Sequence, residues 1–146
     1  MLRFSLDTSC MIGAVCTWHE HHDRAAGEIE RRLSQGETMI VAAPALVESY
    51  AVLTRLPQPH RLSPKDAFTL LEANFMTTTK MIALDSKSYR TLLRKASDEG
   101  IAGGRLYDAV IAACALRAKA EVLLTFNESH FVSLSENKIE IVVPGR

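Results

Sequence analysis

The sequence predicts an α/β fold, a central and mainly parallel sheet of about five strands with helices on both faces. Three observations carry this. Short apolar runs alternate with longer helical patterns along the 146 residues. The runs are apolar throughout, as strands covered on both faces are. Cap and turn residues repeatedly mark the passage from a run into a helix.

Residues 2–6 read as the first strand, and Asp7-Thr8-Ser9 offers N-cap chemistry for a helix through Cys10 and Val15. A second helix is expected over residues 20–35, with Glu28, Arg31 and Arg32 on its polar face and Gly36 as its stop. Residues 38–42 form the next strand. Pro44 suits the first turn of a helix over residues 45–55, which Pro57 and Pro59 close. Ser63-Pro64-Lys65-Asp66 is a capped helix start leading towards Thr77, followed by a strand over residues 80–84. Ser86 is expected to cap a helix ending before Gly100, and Gly103-Gly104 turns into a helix over residues 105–118. That helix is mostly small and apolar, which places it centrally. Residues 122–125 and 139–143 complete the strands, with residues 126–131 as a loop or short turn between them.

The length fits a single domain, residues 1–146, large enough to bury a core without disulfides. Hydrophobic residues at 47% and charged residues at 23% exclude a disordered chain. Lys+Arg and Asp+Glu are both 17, so no bulk positive charge marks a nucleic-acid binder. Cys10, Cys16 and Cys114 give an odd count without a C-x-x-C pair, which points to buried thiols in a reducing compartment. No apolar run reaches the ~18 residues of a membrane span, and Asp7 interrupts any secretory leader, so a cytoplasmic protein is expected.

Three acids stand where acids are costly. Asp7 is the only charged residue between Phe4 and Thr17, Glu48 between Met39 and Thr54, and Asp108 between Leu106 and Leu116. An isolated buried carboxylate must be paired, hydrogen-bonded or metal-bound. Singly, each has a local role open to it as a cap or a helix-terminal acid. Together, near element ends in a parallel α/β pattern, they are more simply explained by one shared site. Open sheets of this kind bind ligands beyond the carboxyl ends of their strands, where Asp7 and Asn127 both fall. Clustered carboxylates predict a hard cation, Mg²⁺ or Mn²⁺, and such an ion serves phosphodiester hydrolysis. Asn127 adds a neutral oxygen to the same network.

A rival lies in Trp18-His19-Glu20-His21-His22-Asp23, where His19 and His22 at i, i+3 suggest a zinc-binding helix face. No second ligand group accompanies them, so helix-start or surface histidines are expected instead. Arg3, Arg24, Arg55, Arg61, Arg94, Lys95 and Arg105 offer phosphate contacts, but most are expected on solvated helix faces. Trp18 and Tyr50 are expected to pack rather than to stack bases.

With these residues in place, the chain resembles the PIN-domain ribonucleases, and within them the VapC-like toxins of bacterial toxin–antitoxin pairs. The carriers are Leu6-Asp7-Thr8-Ser9, Leu46-Val47-Glu48-Ser49, Gly103-Gly104-Arg105-Leu106-Tyr107-Asp108-Ala109 and Leu124-Thr125-Phe126-Asn127, spread over nearly the whole chain. The resemblance implies a three-layer α/β/α sandwich whose acids bind Mg²⁺ or Mn²⁺ and direct a water at a phosphodiester in single-stranded or looped RNA. It also implies a cognate VapB-like antitoxin and a homodimer. Asp7, Glu48 and Asp108 match the family's acidic positions. On this reading Asp7 and Asp108 ligate the metal directly, while Glu48 and Asn127 complete the metal and water shell. The fourth position is often Asp in the family. Asn127 keeps an oxygen acceptor there but removes a charge, so a single firmly held metal is expected. The alternatives are an RNA-processing PIN nuclease without an antitoxin, or an inactive PIN module that binds RNA or protein; three retained acids weigh against the latter.

Overall fold

A computed structural model describes residues 2–77 and 79–146. Its elements follow in the order β1 (Arg3–Leu6), α1 (Thr8–Val15), α2 (His22–Ser34), β2 (Thr38–Ala42), α3 (Ala43–Arg55), α4 (Pro64–Phe75), β3 (Lys80–Ile82), α5 (Ser86–Glu99), α6 (Arg105–Arg117), β4 (Val122–Leu124), α7 (Glu128–Phe131) and β5 (Glu140–Val142). The five strands form one sheet in the order β3-β2-β1-β4-β5, and every pairing is parallel. Helices cover the sheet on both faces, giving the α/β/α sandwich that the alternation of patterns predicts.

The apolar strands are central because both of their faces are covered. In β1, Phe4 pairs with Met39 of β2 and with Val122 of β4, and all three side chains are buried. Leu6, Ile40, Val41, Leu123 and Leu124 are fully buried alongside them. Burying a Leu or Ile of this kind stabilises the fold by about 1.5–3 kcal/mol. The edge strands differ: β3 and β5 contain no buried residue, and Lys80 on β3 and Glu140 on β5 bring charge to the two edges. Among the helices, α1 packs on α2, α3 and α4, while α6 packs on α3, α5 and α7. The small residues Ala109, Ala112, Cys114 and Ala115 let α6 lie close to its neighbours, as expected for a central helix.

The topology also fixes a ligand crevice. From β1 the chain winds to β2 and β3 on one side, then returns to β4 and β5 on the other. The loops leaving β1 and β4 therefore diverge at their carboxyl ends, which is the switch point where open parallel sheets hold ligands. Residue 7 leaves β1 and residue 127 lies just beyond β4.

Several boundaries move for identifiable reasons. The cap of α5 is Asp85, whose carboxylate accepts the Ser88 N–H at 2.8 Å, so Ser86 becomes the first helical residue. Helix α2 starts at His22 because residues 19 and 22 are joined in tight turns, His19 N–H to Cys16 O and His22 N–H to His19 O, each 3.0 Å. β3 ends at Ile82 because its partner β2 ends at the facing Ala42. Helix α4 ends at Phe75, short of Thr77. Residues 126–131 are not merely a loop, since 128–131 wind into α7 around buried Phe131. Trp18 and Tyr50 do not pack into the core: they are 46% and 38% exposed. All three cysteines are buried, as expected, and among the described residues no helix is long and apolar enough to cross a membrane.

Candidate active site

Asp7 is the N-cap of α1, and its carboxylate is only 2% exposed. Burial is tolerated because three donors converge on it. The Ser9 hydroxyl and the Cys10 N–H donate to Oδ1 at 2.7 and 2.9 Å, and the Thr125 hydroxyl donates to Oδ2 at 2.6 Å. Desolvation nevertheless outweighs them and pushes the Asp7 pKa from 3.8 up to about 6, with the charge of Asp108 adding to the rise. The local capping role and the shared-site role thus coincide in one side chain.

Asp108 lies in the first turn of α6, and its Oδ2 stands 3.1 Å from Nδ1 of His130 on α7. Its pKa is raised, chiefly by burial and further by the charge of Glu48, while His130 and Arg105 act in the opposite sense. Glu48, on α3, is partly buried and accepts a hydrogen bond from the Thr8 hydroxyl. Asp108 is electrostatically coupled to Asp7 and to Glu48, so the charges of acids from three separate elements are felt at Asp108. Asn127 lies in the segment after β4. Its N–H donates to the Thr125 hydroxyl at 2.8 Å, and it shares a cavity of about 370 Å³ with Thr8 and Ser9.

The hydroxyls that order this locality, Thr8, Ser9 and Thr125, carry no ligand role in the sequence reading, although two of them sit beside Asp7 and one beside Asn127. His130 is the larger omission. It lies 22 residues from Asp108 in sequence, and only the seating of α7 on α6 joins them. The side chains are held by these neighbours rather than closed on one another: among the described residues, no group of three His, Cys, Asp or Glu is gathered tightly enough to enclose an ion. The donor set itself suits a hard cation, since it offers carboxylate oxygens in mutual repulsion and a neutral amide.

The zinc alternative does not survive the geometry. His19 sits in a turn rather than on a helix, and its Nδ1 accepts the His21 N–H at 3.1 Å. His22 opens α2 with its Nδ1 3.0 Å from the Gly13 carbonyl oxygen. Of the basic residues, Arg55 reaches the neighbourhood of the acids, lining with Glu48, Tyr89 and Tyr107 a second cavity of about 560 Å³.

Comparison with known proteins gives the class to which this parallel sheet belongs: the PIN domain model matches residues 5–136, so the chain belongs to the PIN domain family. Within that family it is VapC-like. It is 39% identical over 117 residues to Ribonuclease VapC40 of Mycobacterium tuberculosis, covering 80% of this chain and 81% of that protein. Among solved structures it is similar to VapC20 of M. tuberculosis, described as a Sarcin-Ricin loop cleaving toxin, with a TM-score of 0.69 at 12% identity over 89% of this chain and 94% of that one. It is also similar to DNA-bound VapBC from Salmonella typhimurium, with a TM-score of 0.66 at 22% identity over 98% of each chain.

Proposed function

We propose that this chain is a divalent-metal-dependent endoribonuclease and the toxin of a toxin–antitoxin pair. The reading is supported by Asp7, Glu48 and Asp108, each the lone acid of its segment in a chain of the PIN domain family, with Asp108 electrostatically coupled to both of the others. RNA as substrate is supported by the relative at 39% identity, which is a ribonuclease. A VapB-like antitoxin is supported by solved VapBC complexes of the same fold, and a homodimer belongs to the same reading. We read residues 1–146 as one nuclease domain.

Mg²⁺ or Mn²⁺ fits the oxygen donors present, with Asp7, Asp108, Glu48 and Asn127 as the residues that would hold it. When bound, such an ion lowers the pKa of water and offsets charge on a phosphoryl group. The remaining work falls to the chain. Asp7 is kept at a fixed angle by Ser9, Cys10 and Thr125, and above pH 6 it presents a carboxylate rather than an acid. His130 orients Asp108, and the Thr8 hydroxyl orients Glu48. Arg55, beside Glu48, offers positive charge to a phosphate of the strand.

The test is cleavage of single-stranded RNA by protein freed of other nucleases. Activity should disappear in EDTA, return with Mg²⁺ or Mn²⁺ but not with zinc alone, and vanish in Asp7→Asn and Asp108→Asn while circular dichroism stays native. Variants that cut at the wild-type rate would overturn the proposal.

A further inference from the structure

The segment rejected as a zinc site builds something else beside the acids. Trp18 stacks on His60 at 4.0 Å between ring centroids and 20° between planes. His19 follows at 5.7 Å from Trp18, His21 at 5.6 Å from His19, and Phe126 stacks on His21 at 4.3 Å and 16°. Five rings thus run in series from the α3–α4 loop to the residue preceding Asn127, and the Arg24 guanidinium lies 5.3 Å from the Phe126 centroid at the end of the series. Core packing accounts for Phe126, which packs against the core, but not for Trp18, which is 46% exposed, or for the half-buried His19, His21 and His60.

The cavity of about 370 Å³ lies against these rings. His19, His21 and Phe126 line it on one side, and Thr8, Ser9 and Asn127 connect it to the acids. Its size falls within the ~300–1,000 Å³ of small-ligand clefts. The rings are held in advance, by the His21 N–H on His19 Nδ1 and by the Phe126 N–H on Ser9 Oγ at 3.2 Å, so a planar ligand would meet a surface that needs little ordering. Glu20 also lines the cavity, with its carboxylate 3.5 Å from His21 Nε2 and 82% of its side chain exposed. An acid there repels a phosphate and accepts from the amino or imino groups of a base.

We propose that this cavity is a nucleobase subsite, in which an unpaired base of the RNA strand stacks on the His19–His21–Phe126 rings, with Trp18 next in the series beyond His19, while the neighbouring phosphodiester lies at Asp7 and Asp108. The proposal rests on the ribonuclease reading and adds the place where the strand is gripped through its bases. Base–aromatic stacking contributes about 1–3 kcal/mol per base, which corresponds to a loss of about 5- to 160-fold in affinity when a ring is removed.

Trp18 is the only tryptophan in the chain, and it stands 5.7 Å from His19 of the cavity wall, so its fluorescence reports on the rings beside the subsite. The Asp108→Asn protein, and separately the wild type in EDTA, are titrated with a short single-stranded oligoribonucleotide and with a fully abasic oligomer of equal length. RNA should quench Trp18 saturably and the abasic strand should not. Affinity for RNA, read by fluorescence anisotropy of a labelled strand, should fall about 5- to 160-fold in His19→Ala and in His21→Ala, each checked for native circular dichroism. Unchanged fluorescence at saturating RNA, or equal binding of the abasic strand, overturns the subsite while leaving the nuclease reading intact, provided the wild type cleaves RNA in Mg²⁺. Failure of the wild type to cleave any RNA overturns the reading on which the subsite rests.

Discussion

The Thr125 hydroxyl donates to Oδ2 of Asp7 at 2.6 Å and accepts the Asn127 N–H at 2.8 Å, so one side chain ties the end of β1 to the loop after β4. Thr125→Val keeps the shape and removes both bonds. The Asp7 carboxylate loses a donor that favours its charged form, so its pKa rises further and the acid limb of the pH–rate profile moves to higher pH. The Asn127 N–H is left without this acceptor, and urea denaturation at pH 7 should show a loss of about 1–3 kcal/mol.

Asp7 also makes stability depend on pH. Its carboxyl titrates near pH 6 in the folded chain against 3.8 ordinarily, so the folded state binds the proton more tightly. Stability from this group is full below about pH 4 and is lost as pH rises through 6, amounting to about 3 kcal/mol at neutral pH without a bound cation. In EDTA, the difference in melting temperature between Asp7→Asn and wild type should therefore shift in the variant's favour from pH 4 to pH 7. Added Mg²⁺ should raise the melting temperature of wild type and not of the variant. A difference that is flat with pH would contradict the assignment.

His130 holds Asp108 from 3.1 Å away. Groups that orient a ligating carboxylate typically contribute 10- to 100-fold in metal affinity. In His130→Ala the Mg²⁺ concentration for half-maximal cleavage should rise by about that factor, with activity recovering at saturating Mg²⁺. No recovery would assign His130 a part beyond holding Asp108.

Gly13 occupies the interior of α1, where glycine costs helix stability. A Cβ added there would meet Ala25 Cβ at 3.5 Å, Phe126 Cε2 at 3.6 Å and His19 Nδ1 at 3.8 Å, all ordinary contacts. Gly13→Ala should therefore stabilise the fold by about 0.5–1 kcal/mol in urea denaturation. A loss of stability would mean that the rings of Phe126 and His19 cannot accept the methyl group.

Most of the fold is legible along the chain because its signals are local. Apolar runs in β1, β2 and β4, the Ser63 and Pro44 helix starts and the Gly36 stop each act within a few residues, and parallel pairing follows from strands covered on both faces. The smaller errors arise where two local signals compete, as at Asp85 and Ser86, where the carboxylate is the better-placed acceptor for the Ser88 N–H.

Lone acids in apolar segments are likewise a sequence property, because the cost of burying charge does not depend on which neighbour relieves it. The sequence by itself therefore determined that Asp7, Glu48 and Asp108 require compensation, and its order of strands and helices determined the sheet that receives them. Only the tertiary structure decided what provides that compensation. His130 reaches Asp108 across 22 residues, Thr125 reaches Asp7 across 118, and the rings of His60 and Phe126 come from distant segments to stack on Trp18 and His21 respectively. These contacts depend on which helix seats against which strand end, and such docking is set by the packing of the whole core rather than by any short stretch of residues.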